Sequence, residues 1–329
     1  MREILVDSDL FQTPLIFNVY KPSGPSSFQV VYQFKKNLNY PFDKIGHFGT
    51  LDPFAEGLLL LGVQGAQKIN DYIHRWMPKT YRAIALFGPL TETLDLTSPI
   101  KDHCDIKIEF QTFSKEELEY FIRLHFLGQH FQAPPMFSAS KFEGRRLYQL
   151  ALDGVVVERK KVEREIFDFK IINYSYPSIE FEVTVSSGTY IRTLFEDVAK
   201  LLGGFGALKE LYRTQIGDLN MNQSIPEELW PDLKKQRHFS IKEHGLKINE
   251  VLKLTEFAVE AFSARKYLQG RPVPLHKAHC LIEREKYLKS DQNLAWIFSE
   301  GVLLGLCLIK ETEIVAVFNL PMAIKHFLN

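Results

Sequence analysis

At 329 residues, 45% hydrophobic and 24% charged, the chain has a globular composition and enough length for a large domain with a smaller one beside it. Its 40 basic and 40 acidic residues cancel, which excludes a global field that would draw in a polyanion. Three cysteines, Cys104, Cys280 and Cys307, without a CxxC pair argue against a disulfide framework, and the longest apolar runs are too short to span a bilayer.

The opening MREILVDSDLF is acidic and lacks the basic and apolar regions of a signal peptide, so a soluble, cytoplasmic protein is expected. PLIFNVYKPSGPSS reads as a strand ending at a Gly-Pro turn, with Ser26 or Ser27 capping a helix over FQVVYQFKKNL. Val30, Val31, Phe34 and Leu38 share one face of that helix. GHFGTLDPFAEG, 46–57, follows. Pro53 disfavours the α region for Asp52, and Gly46 and Gly49 allow a tight fold or a close ligand approach. A carboxylate held there suits the cap of a helix begun by FAEGLLLLG, or a nucleophile or base; the residues alone leave both open.

YRAIALFG, 81–88, alternates and reads as a strand. SKEELEYFIRLHFLG opens with Ser114 and Glu117 in capping-box spacing, continues one face through Leu118, Phe121, Ile122 and His125, and stops at Gly128. EIFDFKIINYSYPSIEFEVTVSSG is expected to form a hairpin around Tyr-Pro-Ser. YIRTLFEDVAKLLGG places Ile191, Leu194, Phe195, Val198, Leu201 and Leu202 at helical spacing. The stretch from about 222 to 250 is polar and marks a candidate boundary, and the tail (KYLQGRPVPL, GVLLGLCLIK, EIVAVFNL) reads as a small β domain. Strands and helices mix without βαβ alternation, so the fold class is α+β with a largely antiparallel sheet flanked by helices. The basic clusters GRR at 144–146, RKKVER at 159–164 and LKKQRH at 233–238 read as solvated surface. His276, His279 and Cys280 cluster without a second ligand group, so no metal is expected.

KPSGPSS at 21–27, KIGHFGTLDPFAEGLL at 44–59, KTYRA at 79–83, FQAPPMFSASKFEGRRLYQLALDG at 131–154, SSGTYIRTL at 186–194 and ALKELYRTQIG at 207–217 occur in an order that closely resembles the TruB-type tRNA pseudouridine synthases, over most of residues 14–217. The last block is one residue shorter than the family pattern. Phe48 stands where the family usually has Thr, Ser26 where it has Thr, Ser187 where a Lys commonly precedes Gly-Thr-Tyr-Ile-Arg, and Leu152 where it has Arg.

The resemblance implies a pseudouridine synthase catalytic domain over 1–255 and a PUA-like RNA-binding domain over 256–329. It implies isomerisation of uridine 55 in the tRNA T-loop, by base flipping and without a cofactor. Asp52 matches the catalytic aspartate, Arg192 its guanidinium partner, and Tyr81 the tyrosine that stacks on the target base. His47 matches the residue that fills the space of the flipped nucleotide and Leu211 the pocket wall; Lys21 and Gly49 join the substrate-binding set. The implied partner is the T-arm of tRNA, with no membrane, no obligatory protein partner and a monomeric state. The rivals are a non-catalytic tRNA-binding or chaperone module, a guide-RNA-dependent synthase, and a glycoside hydrolase, which needs a second carboxylate.

Overall fold

A computed structural model describes residues 13–38, 44–235, 237, 239–284 and 293–328. The reading of MREILVDSDLF, and of Gln236 and His238 in the third basic cluster, lies outside the described residues.

The main sheet includes β1 (Leu15–Lys21), β2 (Ile45–His47), β3 (Glu56–Val63), β4 (Lys79–Thr91), β5 (Gly128–Gln132), β6 (Val162–Ser175), β7 (Ser178–Val185), β8 (Gly206–Ile216) and β9 (Gly245–Lys247), with two short strands, Ile100–Cys104 and Leu219–Asn220, added on β4 and β8. Its order is β9-β1-β3-β8-β4-β7-β6-β5, with β2 also on β3. Every pair along that path is antiparallel except β3 with β8. The mixed α+β expectation therefore holds, and the Tyr-Pro-Ser hairpin is the β6–β7 pair.

FAEGLLLLG does not begin a helix: Glu56–Val63 is strand β3. A short, unbroken apolar run has the same period signature in a buried strand as in a buried helix. Here it is central and buried on both faces. Leu58 and Leu60 enter one apolar cluster, with Ile16, Phe48 and Trp76. Leu59, Leu61 and Val63 enter another, with Phe17, Phe34 and Trp230. Gly57 is what allows the parallel crossing with β8: its φ is +104°, and a Cβ there would lie 2.5 Å from the Arg213 carbonyl oxygen. Gly57→Ala is expected to destabilise the protein by more than about 1 kcal/mol, seen as a lowered Tm, because both the φ and the backbone contact oppose a side chain.

Helix α1 (Ser27–Asn37) has Ser26 and Gln29 as a reciprocal capping box and buries Ser27, Val30, Val31 and Phe34. A second helix, α2 (Asn70–Trp76), precedes β4. Helix α3 (Lys115–Phe126) has the expected Ser114–Glu117 box, but its buried face is Leu118, Ile122 and Phe126; His125 is exposed. The amphipathic pattern of 190–204 forms α4 (Ile191–Leu201), which lies against the sheet through Leu194, Phe195 and Val198. Leu201, expected on that face, is 41% exposed.

The polar stretch 222–250 folds back on the main sheet rather than standing off it. Trp230, Phe239 and Ile241 are buried against Phe17 and Phe34, and β9 pairs with β1. Beyond it lies a second sheet: β10 (Thr255–Val259), β11 (Val273–Pro274), β12 (Ala278–Ile282), β13 (Leu294–Ser299), β14 (Val302–Ile309) and β15 (Glu313–Asn319), ordered β11-β15-β14-β13-β10-β12. One apolar cluster joins Trp296, Leu306 and Tyr267 to Leu60, Ile73 and Trp76 of the first unit, so each covers apolar surface of the other. Among the described residues no helix is long and apolar enough to cross a membrane.

Candidate active site

Two of the sequence blocks prove to be halves of one loop assembly. Lys21 at the end of β1 is fully buried and donates to the carbonyls of Pro22, Pro53 and Ala55 at 3.0, 3.1 and 2.7 Å. Gly24 N–H donates to Pro53 O at 2.8 Å, and Ser27 Oγ donates to Leu51 O and accepts from Leu51 N–H. Thus 21–27 grips the backbone on both sides of Asp52. Lys21, expected among the substrate-binding residues, has its three protons committed to carbonyls and acts on this loop instead. Its burial, only partly offset by Asp52 and Glu56, brings the ammonium down to about 8.

Opposite, the first turn of α4 presents Arg192, whose side chain is 3% exposed. Its Nε donates to Asp52 Oδ2 at 2.8 Å, and a terminal nitrogen reaches the same oxygen at 2.8 Å. The remaining protons go to Thr93 O at 2.5 Å and Phe137 O at 2.9 Å, and Asp95 Oδ2 stands 3.8 Å away. Burial pushes the Asp52 carboxyl above the usual carboxylate range; Arg192 pulls it back, Asp95 adds to the rise, and Lys21 opposes it. Asp95 is the second acid that sequence reasoning missed. Its Oδ1 accepts from the Thr93 and Thr97 hydroxyls and the Thr97 N–H, so it is anchored rather than free to serve as a general acid. Glu56, the next acid along the chain, accepts from the Tyr20 hydroxyl at 2.5 Å.

Asp52 and Arg192 line a cleft of about 1130 Å³ together with His47, Gly49, Thr93, Asp95, Phe137 and Arg146. A contiguous cavity of about 350 Å³ shares Asp52 and Arg192 and adds Tyr81 and Leu211. Tyr81 is 7% exposed, and its hydroxyl has no hydrogen-bond partner among the described residues. Leu211 sits beside it, because β8 pairs with β4 at Leu211–Ala83 and Arg213–Tyr81. Gly49, with φ +92°, brings backbone to the cavity wall against Lys79, His74 and Arg213. His47 is half-buried with an unpartnered Nδ1; burial, then Arg213 and Arg146, lowers its pKa and holds it neutral.

Four further groups were not singled out from sequence. Gln132 locks Tyr190 in place, accepting from its N–H at 2.7 Å and donating to its carbonyl at 3.0 Å, two residues before Arg192. Arg146, read as solvated surface, lines both cavities. Lys79 donates to Ser187 Oγ at 2.5 Å, and His74 Nδ1 lies 2.7 Å from the same hydroxyl. Burial and Arg213 bring Lys79 down to about 7, and burial with Lys79 brings His74 down to about 4. Ser187 thus turns inward. Of the other departures, Phe48 is buried against Gly62 in the core, and Leu152 is 73% exposed. The signal for Gln132 and Arg146 was their place in the 131–154 block.

Residues 35–191 match the family model for the N-terminal domain of TruB family pseudouridylate synthases. The chain is 36% identical over 253 residues to tRNA pseudouridine synthase B of Clostridium novyi, covering 77% of this chain and 82% of that one. It is 38% identical over 208 residues to the protein of the same name from Thermosipho melanesiensis, covering 63% and 66%. Among solved structures, a chain of the Cbf5-Nop10-Gar1 complex superposes with a TM-score of 0.66 at 20% identity, over 95% of this chain and 85% of that one. At that identity the likeness speaks to fold alone.

Proposed function

The chain belongs to the TruB family of pseudouridylate synthases, RNA isomerases, and from that premise we propose that it converts uridine 55 in the T-loop of tRNA to pseudouridine, with Asp52 as nucleophile. The observation that carries the reading is the Asp52–Arg192 pair at a cleft wall shared with Tyr81.

The reaction breaks the N1–C1′ bond of uridine and makes a C5–C1′ bond; C5 gives up a proton and N1 gains one, so the balance closes without a cofactor. As the glycosidic bond breaks, the ribosyl centre becomes electron-poor, and an ionised Asp52 is the group placed to meet it. Arg192 holds that carboxylate in one orientation and favours its charged form. A base inside folded RNA must leave its stack to reach this cleft. Tyr81 supplies the ring that takes it up, worth about 1–3 kcal/mol per base, and His47, a residue of the cleft lining, fills the space it leaves. Gly49 and Leu211 shape the wall; residues 256–329 are assigned as a PUA-like RNA-binding unit.

The test is a transcribed tRNA incubated with the purified protein alone, followed by mapping of pseudouridine. Modification confined to position 55 is expected. Dependence on an added guide RNA, or release of free sugar, would point to the rival readings. In the same assay Tyr81→Phe is expected to keep far more activity than Tyr81→Leu, since the ring survives in the first; equal losses would shift the role to the hydroxyl.

A further inference from the structure

Helix α1 leaves the cleft with an unusual outward face. Phe28 lines the cleft wall beside Ser26, Ser27, Pro53 and Phe54, and is 71% exposed. Tyr32, one turn further, is 58% exposed, and Lys35 and Lys36 lie exposed a turn beyond. The spacing i, i+4, i+7 puts Phe28, Tyr32 and Lys35 on one stripe, bordered by the buried Val31 and turned away from the buried Val30 and Phe34. Helix rise places Lys35 about 10 Å beyond Phe28 along the axis.

Two features separate this stripe from ordinary surface. The lysines alone have a bland explanation, since cations suit a helix C-terminus. The aromatics do not: each leaves a large ring in water, with no aromatic or cation–π partner among the described residues. The stripe also carries no acid, and neither lysine has an ion pair among the described residues, in a chain whose charges otherwise cancel. Rings that can stack on any base, followed by unpaired cations, are the chemistry of a groove for unstacked RNA. A protein partner would more naturally meet a stripe continuing in apolar residues.

We propose that the outward face of α1 is an RNA-binding ridge continuous with the cleft: Phe28 and Tyr32 stack on bases of the loop that flank the extruded uridine, and Lys35 and Lys36 take the following phosphates. The inference rests on the RNA-isomerase reading for its substrate but is measured by binding. Affinity for transcribed tRNA is determined for the full-length protein, alongside pseudouridine formation. Phe28→Ala is expected to weaken binding about tenfold and Tyr32→Ala somewhat less, with the loss on Kd and KM rather than on kcat. Phe28→Trp should restore affinity, as a stacking role requires and a merely structural one does not. The Lys35→Ala, Lys36→Ala pair should flatten the dependence of log Kd on log salt by about 0.7 for each phosphate no longer neutralised. Ile108→Ala, 77% exposed and outside the cleft, is the control for removal of exposed apolar surface. Unchanged affinity in Phe28→Ala and Tyr32→Ala overturns the ridge. So does concentration-dependent self-association that those substitutions abolish, which would give the stripe to a second copy of the chain. Binding without isomerisation in the unaltered protein would instead sink the functional reading while leaving the ridge standing.

Discussion

Asp52→Asn is expected to abolish pseudouridine formation, by at least about a thousandfold in single-turnover rate, as removal of a nucleophile does. Affinity for transcribed tRNA should stay within a few-fold. The separation follows from the geometry. The carboxylate faces Arg192 and the cleft, whereas the loop that carries it is held by Lys21, Gly24 and Ser27 through backbone atoms that the substitution does not touch. The isosteric amide keeps the Arg192 contact through its oxygen but has no charge to offer the ribosyl carbon. Measurable turnover by this variant removes Asp52 from the chemistry.

Arg192→Gln should produce the second large effect, and its pH dependence carries the information. The proposed mechanism uses Asp52 ionised, so activity in the unaltered protein should fall as pH drops through its pKa. Burial sets that pKa above the usual carboxylate range, and the acid limb should lie correspondingly high. Arg192 is the main influence pulling it down; without the guanidinium the limb moves to higher pH. The variant also removes the cation that Asp52 and Asp95 share. Removing one partner of a buried pair costs about 3–5 kcal/mol. That deficit should be greatest at neutral pH and shrink on acidification, as protonation relieves the uncompensated charge. An acid limb that does not move would show that Arg192 serves the fold and not the ionisation of Asp52. The unaltered protein has a milder form of the same tension. A folded carboxyl with a raised pKa stabilises the protein below its unfolded pKa, and that contribution is lost as pH rises, so the ionised form that the proposed reaction uses is the less stable one.

The mutual cover of the two sheets bears on how the proposed RNA binding by residues 256–329 is tested. Cutting the chain near 255 would bare Leu60, Ile73 and Trp76 to water, so surface substitutions in the second unit are the cleaner probe.

Local physics was legible along the chain wherever a short segment contains its own explanation. Ser26 and Ser114 cap helices because their boxes close within four residues, and Tyr-Pro-Ser turns a hairpin because flanking strands alternate. The block pattern, down to Asp52, Tyr81 and Arg192, could likewise be read as a string of residues. What failed or went unseen depended on neighbours remote in sequence. Glu56–Val63 is a strand because β1 and β8 flank it, and an apolar run carries no record of what will cover its two faces. Lys21 grips a loop 32 residues away, Asp95 matters only because Arg192 lies near it, and Ser187 turns inward because Lys79 and His74 meet it there. The sequence by itself determined which groups are available and how each short segment bends. The tertiary structure alone decided which of those groups share a cavity, and so which carboxyl is buried beside a guanidinium, because burial and charge proximity are properties of the packed chain and not of any stretch of it.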